Sequence, residues 1–172
     1  DAEGNVWIAD VKLNVVRKCT PDGKVLLTLG TEGERGIDEK HLNMPTDMAI
    51  SPAGDIFVSD GYGNSRVVKY DKDGRFVKAV GTKGSAPGQL NLPHTIAADA
   101  KGNIYVGDRS NSRIEVFDNG LEFKAIYDKV GAPWAVCITP GPHQYLYSSN
   151  SNPDNNNAQT MAVTGEIYKM EL

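Results

Sequence analysis

Two stretches of the chain share a frame and differ at one chemically telling place. Residues 90–100 read LNLPHTIAADA and residues 42–52 read LNMPTDMAISP. Both begin Leu-Asn-x-Pro and continue in apolar alternation, but His94 stands where the earlier copy has Thr46. An imidazole at such a point can ligate a metal or move a proton near neutral pH, whereas a threonine can do neither well. The other two histidines, His41 in IDEKHLN and His143 in PGPHQY, lie in loop-like stretches and are read as solvent-facing. Cys19 and Cys137 sit in separate apolar runs, which suits buried free thiols better than a metal pair or a disulfide. The glycine-rich stretches GTEGERGIDEKHL and GTKGSAPGQL have no Lys-Ser/Thr pair and no following helix, so they are read as connections rather than phosphate loops. Clustered acidic ligands at strand starts are not evident, which weakens a calcium-dependent hydrolase.

The elements that position His94 follow from a repeat. GNVWIAD (4–10), GDIFVSD (54–60) and GNIYVGD (102–108) are copies of one phrase, roughly 50 residues apart. Each is followed by a polar turn and a second alternating run: VVRKCTPDG, SRVVKYDKDG and SRIEVFDNG. A third short run comes next (KVLLTLG, RFVKAVG, LEFKAIYD), and DMAIS and HTIAAD precede the phrase in two copies. Each unit is therefore four short strands with period-2 alternation, bounded by Asp, Gly and Asn turns. No stretch has a convincing helical period. APWAVCITP and QYLYSSN open a degenerate further copy that closes with GEIYKMEL, and SNSNPDNNNAQT between them reads as a polar surface loop.

Four antiparallel strands at this period predict an all-β fold, a β-propeller of four-stranded blades. Small sheets apolar on both faces cannot bury them alone, and radial stacking covers both. The expected blades are 1–41, 42–89, 90–130 and 131–172, with three, four, four and three strands. Trp7, Phe57 and Tyr105, at one recurring place, are expected in the inter-blade core. The first and last blades are incomplete by this count. The expectation is part of a larger propeller, or a chain that self-associates to cover open faces.

Composition sets bounds on partners. The 172 residues are 40% hydrophobic and 23% charged, with 18 glycines and 9 prolines, ordinary for a globular domain rich in turns. A formal charge of -4 gives no reason to expect nucleic acid. No apolar run approaches the roughly 18 residues that span a bilayer, so no membrane partner is expected. The sequence starts at Asp1 without an initiator methionine, which suits a processed or excerpted chain.

SDGYGNSRVVKYDKDGRF and VGDRSNSRIEVFDNG carry the Asp-turn-Asn-x-Arg-apolar pattern of NHL repeats. Asp60, Asn64, Arg66, Asp108, Asn111 and Arg113 are assigned to architecture, as carboxylates that accept turn amides and guanidiniums that bridge strands. The order PTDMAI, FVSDGYGNSR, PGQLNLPH, VGDRSNSRI further resembles the peptidyl-α-hydroxyglycine α-amidating lyases. That resemblance implies a six-bladed NHL propeller that releases a peptide amide and glyoxylate, using zinc in a central channel. It also implies His94 as a zinc ligand, Tyr62 as a base for the substrate hydroxyl, and Arg109 as the cation that holds substrate. Zinc is the implied cofactor, structural calcium a further option, a peptide or protein the implied partner, and an extracytoplasmic or secreted setting the one favoured. Of the three zinc histidines only His94 is matched; Trp134 stands at the corresponding place one blade on, where alternation expects no ligand, and Gly63 replaces the cysteine of animal members. A non-catalytic NHL propeller that binds a peptide or protein is the alternative.

Overall fold

The computed structural model describes residues 1–150 and 165–172. The polar loop expected over 149–160 therefore falls largely outside the described residues. Among the described residues, fourteen short strands form four antiparallel sheets. The first holds β1 (Val6–Asp10), β2 (Val15–Cys19) and β3 (Val25–Leu29), in that order. The second holds β4 (Asp47–Ile50), β5 (Ile56–Asp60), β6 (Arg66–Tyr70) and β7 (Phe76–Val80). The third holds β8 (Pro93–Ala98), β9 (Ile104–Asp108), β10 (Arg113–Phe117) and β11 (Phe123–Tyr127), with a single 3-10 turn at Arg109–Asn111. The fourth holds β12 (Pro133–Ile138), β13 (Tyr145–Asn150) and β14 (Ile167–Glu171). Strands within a sheet pair with their sequence neighbours, and the innermost strands β4, β8 and β12 lie side by side. The fold is all-β, a run of propeller blades that does not close on itself.

Alternation decides which neighbour each side chain meets. In β5, Ile56 and Val58 pack toward the first sheet with Val16, Leu29 and Leu42, while Phe57 turns the other way into the third sheet. In β9, Ile104 and Val106 face the second sheet and Tyr105 faces Val136 and Leu146 of the fourth. All five residues of β5 and of β9 are buried, since both faces of each sheet are covered. Burying such side chains is worth about 1.5–3 kcal/mol each, and this is the main force that stacks the sheets. Trp7, Phe57 and Tyr105 all lie in these inter-sheet layers, as their shared place in the repeat foretold.

The outer faces of the end sheets are different. Val6 and Ile8 are each 49% exposed, although Trp7 and Ala9 on the opposite face pack into the core. Cys137 is exposed, which corrects its reading as a buried thiol: it points away from the third sheet, on the face shared with Ala135 and Tyr147. Cys19 is buried, and both cysteines are free.

A second set of bonds ties each connection to its blade. Asp60 ends β5, and its carboxylate accepts from the Asn43 amide at 2.8 Å, Asn64 Nδ2 at 2.7 Å and Arg66 Nε at 2.9 Å. Asp108 repeats this at the end of β9, accepting from the Asn91 amide at 2.6 Å, Asn111 Nδ2 at 2.7 Å and Arg113 Nε at 2.8 Å. The arginines carry the link onward: Arg66 donates to the carbonyls of His41 and Ile37, and Arg113 to those of Ser85 and Gln89. Burial pushes both aspartates above the usual carboxylate range, against the pull of these donors. His41 lies at the partly exposed edge of this region, close to its solvent-facing reading, and is held there by two acids. Its ring meets Asp38 at 2.8 Å and Glu34 at 3.1 Å, and those hydrogen bonds raise its pKa.

The third sheet carries one departure from the repeat. Glu115, fully buried on β10, takes the place that Val68 holds on β6. One carboxylate oxygen accepts from the Gly88 amide at 3.1 Å. The other lies 2.6 Å from Arg113 Nη2 but off the hydrogen-bond direction, so that contact is Coulombic. Burial, helped by repulsion from Asp108 and opposed by Arg113 and the Gly88 amide, pushes the Glu115 pKa up to about 7.

Two expectations follow. Arg113→Ala strands two buried carboxylates and should destabilise the fold by about 3–5 kcal/mol in denaturant titration, while Arg75→Ala, on an exposed turn, should cost under about 1 kcal/mol. Glu115 has a folded pKa above its unfolded one, so the folded chain binds the extra proton. Its contribution is complete below the ordinary glutamate range and is lost as pH rises through about 7. Glu115→Gln should remove that loss: the stability of the natural chain, relative to the variant, should fall between about pH 4.5 and pH 7 in urea midpoints.

Candidate functional site

Two positions recur on the same end of the blades. The first is the residue after proline at the start of each innermost strand: Thr46, His94 and Trp134. The second lies in the turn after the next strand, where a backbone amide donates to the residue before that proline. Tyr62 donates its amide to the Met44 carbonyl at 3.3 Å, and Arg109 donates to the Leu92 carbonyl at 3.1 Å. The following amides, of Gly63 and Ser110, donate to Asn43 and Asn91 at 3.0 Å. Tyr62 and Arg109 are therefore equivalent places in successive blades. Both turns hang on the Leu-Asn-x-Pro corner that Asp60 and Asp108 hold. In that corner Met44 and Leu92 have φ near +60°, a left-handed kink that redirects the chain into the proline-led strand.

The three residues singled out from sequence converge. The Tyr62 hydroxyl lies 2.9 Å from His94 Nε2, with the rings edge to face. His94 Nδ1 lies 2.8 Å from the Trp134 carbonyl oxygen. That oxygen can only accept, so Nδ1 carries the proton; in the neutral ring Nε2 then accepts from the tyrosine hydroxyl. Arg109, a buried residue, places its guanidinium carbon 4.8 Å from the centre of the Trp134 ring. The Trp134 and His94 rings are 4.4 Å apart. Each contact joins the turn position of one blade to the strand-start position of the next: Tyr62 to His94, and Arg109 to Trp134.

Main-chain stitching keeps this register. Thr46 Oγ1 donates to the Pro93 carbonyl at 2.7 Å, and one blade later His94 Nδ1 donates to the Trp134 carbonyl, one residue further along the strand. Asp47 Oδ2 accepts from Thr95 Oγ1 at 2.8 Å and from the Ile96 amide at 3.1 Å; Thr95 Oγ1 in turn accepts from the Val136 amide. Strands β4, β8 and β12 are thus locked side by side. Gly61 allows the closest approach, since a Cβ there would run into the Pro93 carbonyl oxygen.

Trp134 is the site residue that sequence reasoning passed over. Its place after Pro133 matched that of His94, and this register was the available signal. Tyr62 and Trp134 remain 44% and 48% exposed, so the cluster has a solvent-facing side. A catalytic zinc takes three protein ligands and an open position. Among the described residues no group of three His, Cys, Asp or Glu side chains is placed to hold a metal. His94 offers one imidazole nitrogen, so the described residues do not by themselves make a zinc centre.

Comparison with known proteins follows this frame. The NHL repeat family matches residues 42–70 and 90–117, the two blades whose Asp, Asn and Arg form the clamps. The chain carries NHL repeats. It is 35% identical over 182 aligned positions to a probable peptidyl-alpha-hydroxyglycine alpha-amidating lyase of Caenorhabditis elegans, covering 99% of this chain and 52% of that protein. It is 42% identical over 125 positions to the peptidyl-glycine alpha-amidating monooxygenase of Mus musculus, covering 68% of this chain and 13% of that protein. The chain thus spans about half of the first relative and a small part of the second. Among solved structures, a luciferin-regenerating enzyme superposes with a TM-score of 0.69 at 19% identity, over 98% of this chain and 58% of that one, a likeness of fold. This NHL chain resembles the amidating lyases.

Gly61→Ala should push the Tyr62 turn off the third blade. We expect a loss of about 1–3 kcal/mol in thermal or urea unfolding and a displaced His94 ring resonance, whereas Gly33→Ala, with open space around it, should leave the resonance in place.

Proposed function

We propose that this NHL propeller segment contributes to a lyase site that cleaves a peptidyl-α-hydroxyglycine into a peptide amide and glyoxylate. The observation that carries the reading is the meeting of Tyr62, His94 and Arg109 through Trp134, from three separate motifs on two blades. The likeness to an amidating lyase over 99% of the chain supports it.

The chemistry asked of the residues is modest. The substrate is a carbinol whose carbon bears a hydroxyl, an amide nitrogen and a carboxylate. Removing the hydroxyl proton lets the C–O bond become the C=O of glyoxylate as the C–N bond breaks. Once ionised, the Tyr62 oxygen takes that proton and hands it to the leaving nitrogen, which needs one to become the amide, so the step balances without a co-reactant. A positioned base of this kind contributes about a hundredfold or more. Arg109 pairs the carboxylate that substrate and product share, a task suited to a planar, permanently charged group. His94 would hold zinc through Nε2, whose single lone pair would then face the metal in place of the Tyr62 hydroxyl. When bound, zinc would supply Lewis-acid polarisation.

Glyoxylate release from a benzoylated α-hydroxyglycine, assayed with the full-length protein, tests the reading. Tyr62→Phe should lower kcat about a hundredfold or more, and Arg109→Lys should raise KM more than it lowers kcat. His94→Ala should lose zinc that the natural protein retains through purification without chelator. A natural protein that releases no glyoxylate, or a Tyr62→Phe variant of full activity, overturns the assignment.

A further inference from the structure

We infer that Trp134 is a positioning residue of this site, acting through two different parts of one amino acid. Its main-chain carbonyl sets the histidine. Accepting from His94 Nδ1 at 2.8 Å, it makes Nδ1–H the neutral tautomer and leaves Nε2 as the acceptor facing Tyr62. Its indole sets the arginine. The guanidinium lies over the ring at 4.8 Å, an attraction that also limits the rotamers of a long side chain.

The placement follows from blade register rather than from one fortuitous contact. Turn and strand-start positions pair across successive blades, so Trp134 stands to Arg109 as His94 stands to Tyr62. A residue without an aromatic face at 134 would keep the carbonyl and lose the platform. The ring is half exposed and the arginine is buried, so the indole covers one face of the cation. The inference about Arg109 rests on the proposed lyase reading for its ligand, a small α-oxo or α-hydroxy carboxylate; the inference about His94 rests on geometry alone.

Two measurements on the full-length protein separate these parts. The first is nitrogen-15 NMR of the imidazoles at about pH 8, above the ordinary histidine range. With three histidines in this chain, His94→Gln assigns the His94 signals by their loss. We expect a protonated Nδ1 and an unprotonated Nε2, and Tyr62→Phe should shift Nε2 alone. A His94 with its proton on Nε2 overturns the carbonyl role. The second is calorimetric binding of glyoxylate to the natural protein, Trp134→Ala and Trp134→Phe. We expect affinity to fall about tenfold in the alanine variant and to stay within about threefold in the phenylalanine variant, with folded-state melting of both confirmed. Equal binding by the alanine variant overturns the indole role. Failure of the natural protein to bind glyoxylate counts against the lyase reading and against Arg109 on its platform, while the NMR result still decides the tautomer.

Discussion

A buried carboxylate with three donors, placed where the second strand of a blade ends, is the constraint on which the rest depends. Taking Asp60 or Asp108 out of water is costly, and burial raises both pKa values. The cost is offset because a backbone amide, an asparagine and an arginine converge on each. The amide belongs to the corner that launches the innermost strand of the same blade, and the arginine reaches the connection that leads into it. One side chain thereby sets where His94 begins its strand and where Arg109 leaves its own. Hydrophobic layers press the sheets together, but they are tolerant of sliding by a fraction of a residue; directed bonds to a fixed carboxylate are not.

Chemical variety at the site comes from filling repeated backbone positions with different side chains. Thr46, His94 and Trp134 share one main-chain environment, and Tyr62 and Arg109 share another. The threonine uses its hydroxyl to hold the Pro93 carbonyl; the histidine uses Nδ1 to hold the Trp134 carbonyl and meets the Tyr62 hydroxyl with Nε2. A structural hydrogen bond thus becomes an oriented donor or ligand with no change in the backbone. The scaffold supplies register, and function is confined to what projects from it.

Much of this was legible because repetition makes period-2 patterns hard to mistake. The recurring phrase marked the second strands, and the Asp, Asn and Arg at fixed offsets marked the clamps. Alternation shows which face a side chain takes, yet not whether another sheet covers that face. Cys137 and Cys19 look alike in sequence and differ in burial for that reason. His41 reads as loop surface and stays partly exposed there; what the sequence does not show is that the connection folds Asp38 and Glu34 onto its ring. Trp134 was visible as a departure from histidine, but its link to Arg109 needed the rule that turn and strand-start positions meet one blade apart. Glu115 broke an apolar run, and no pattern in the chain announced Arg113 and Gly88 as its neighbours.

The pairing of positions across adjacent blades has a consequence for how such chains diverge. A new side chain at a strand start answers first to a single turn residue in the blade before it. Change should therefore arrive in linked couples: sites 62 and 94 drifting together, and 109 with 134, the two joined where His94 meets Trp134. The ring of a propeller is then a chain of dialogues between neighbours, each overheard by the next.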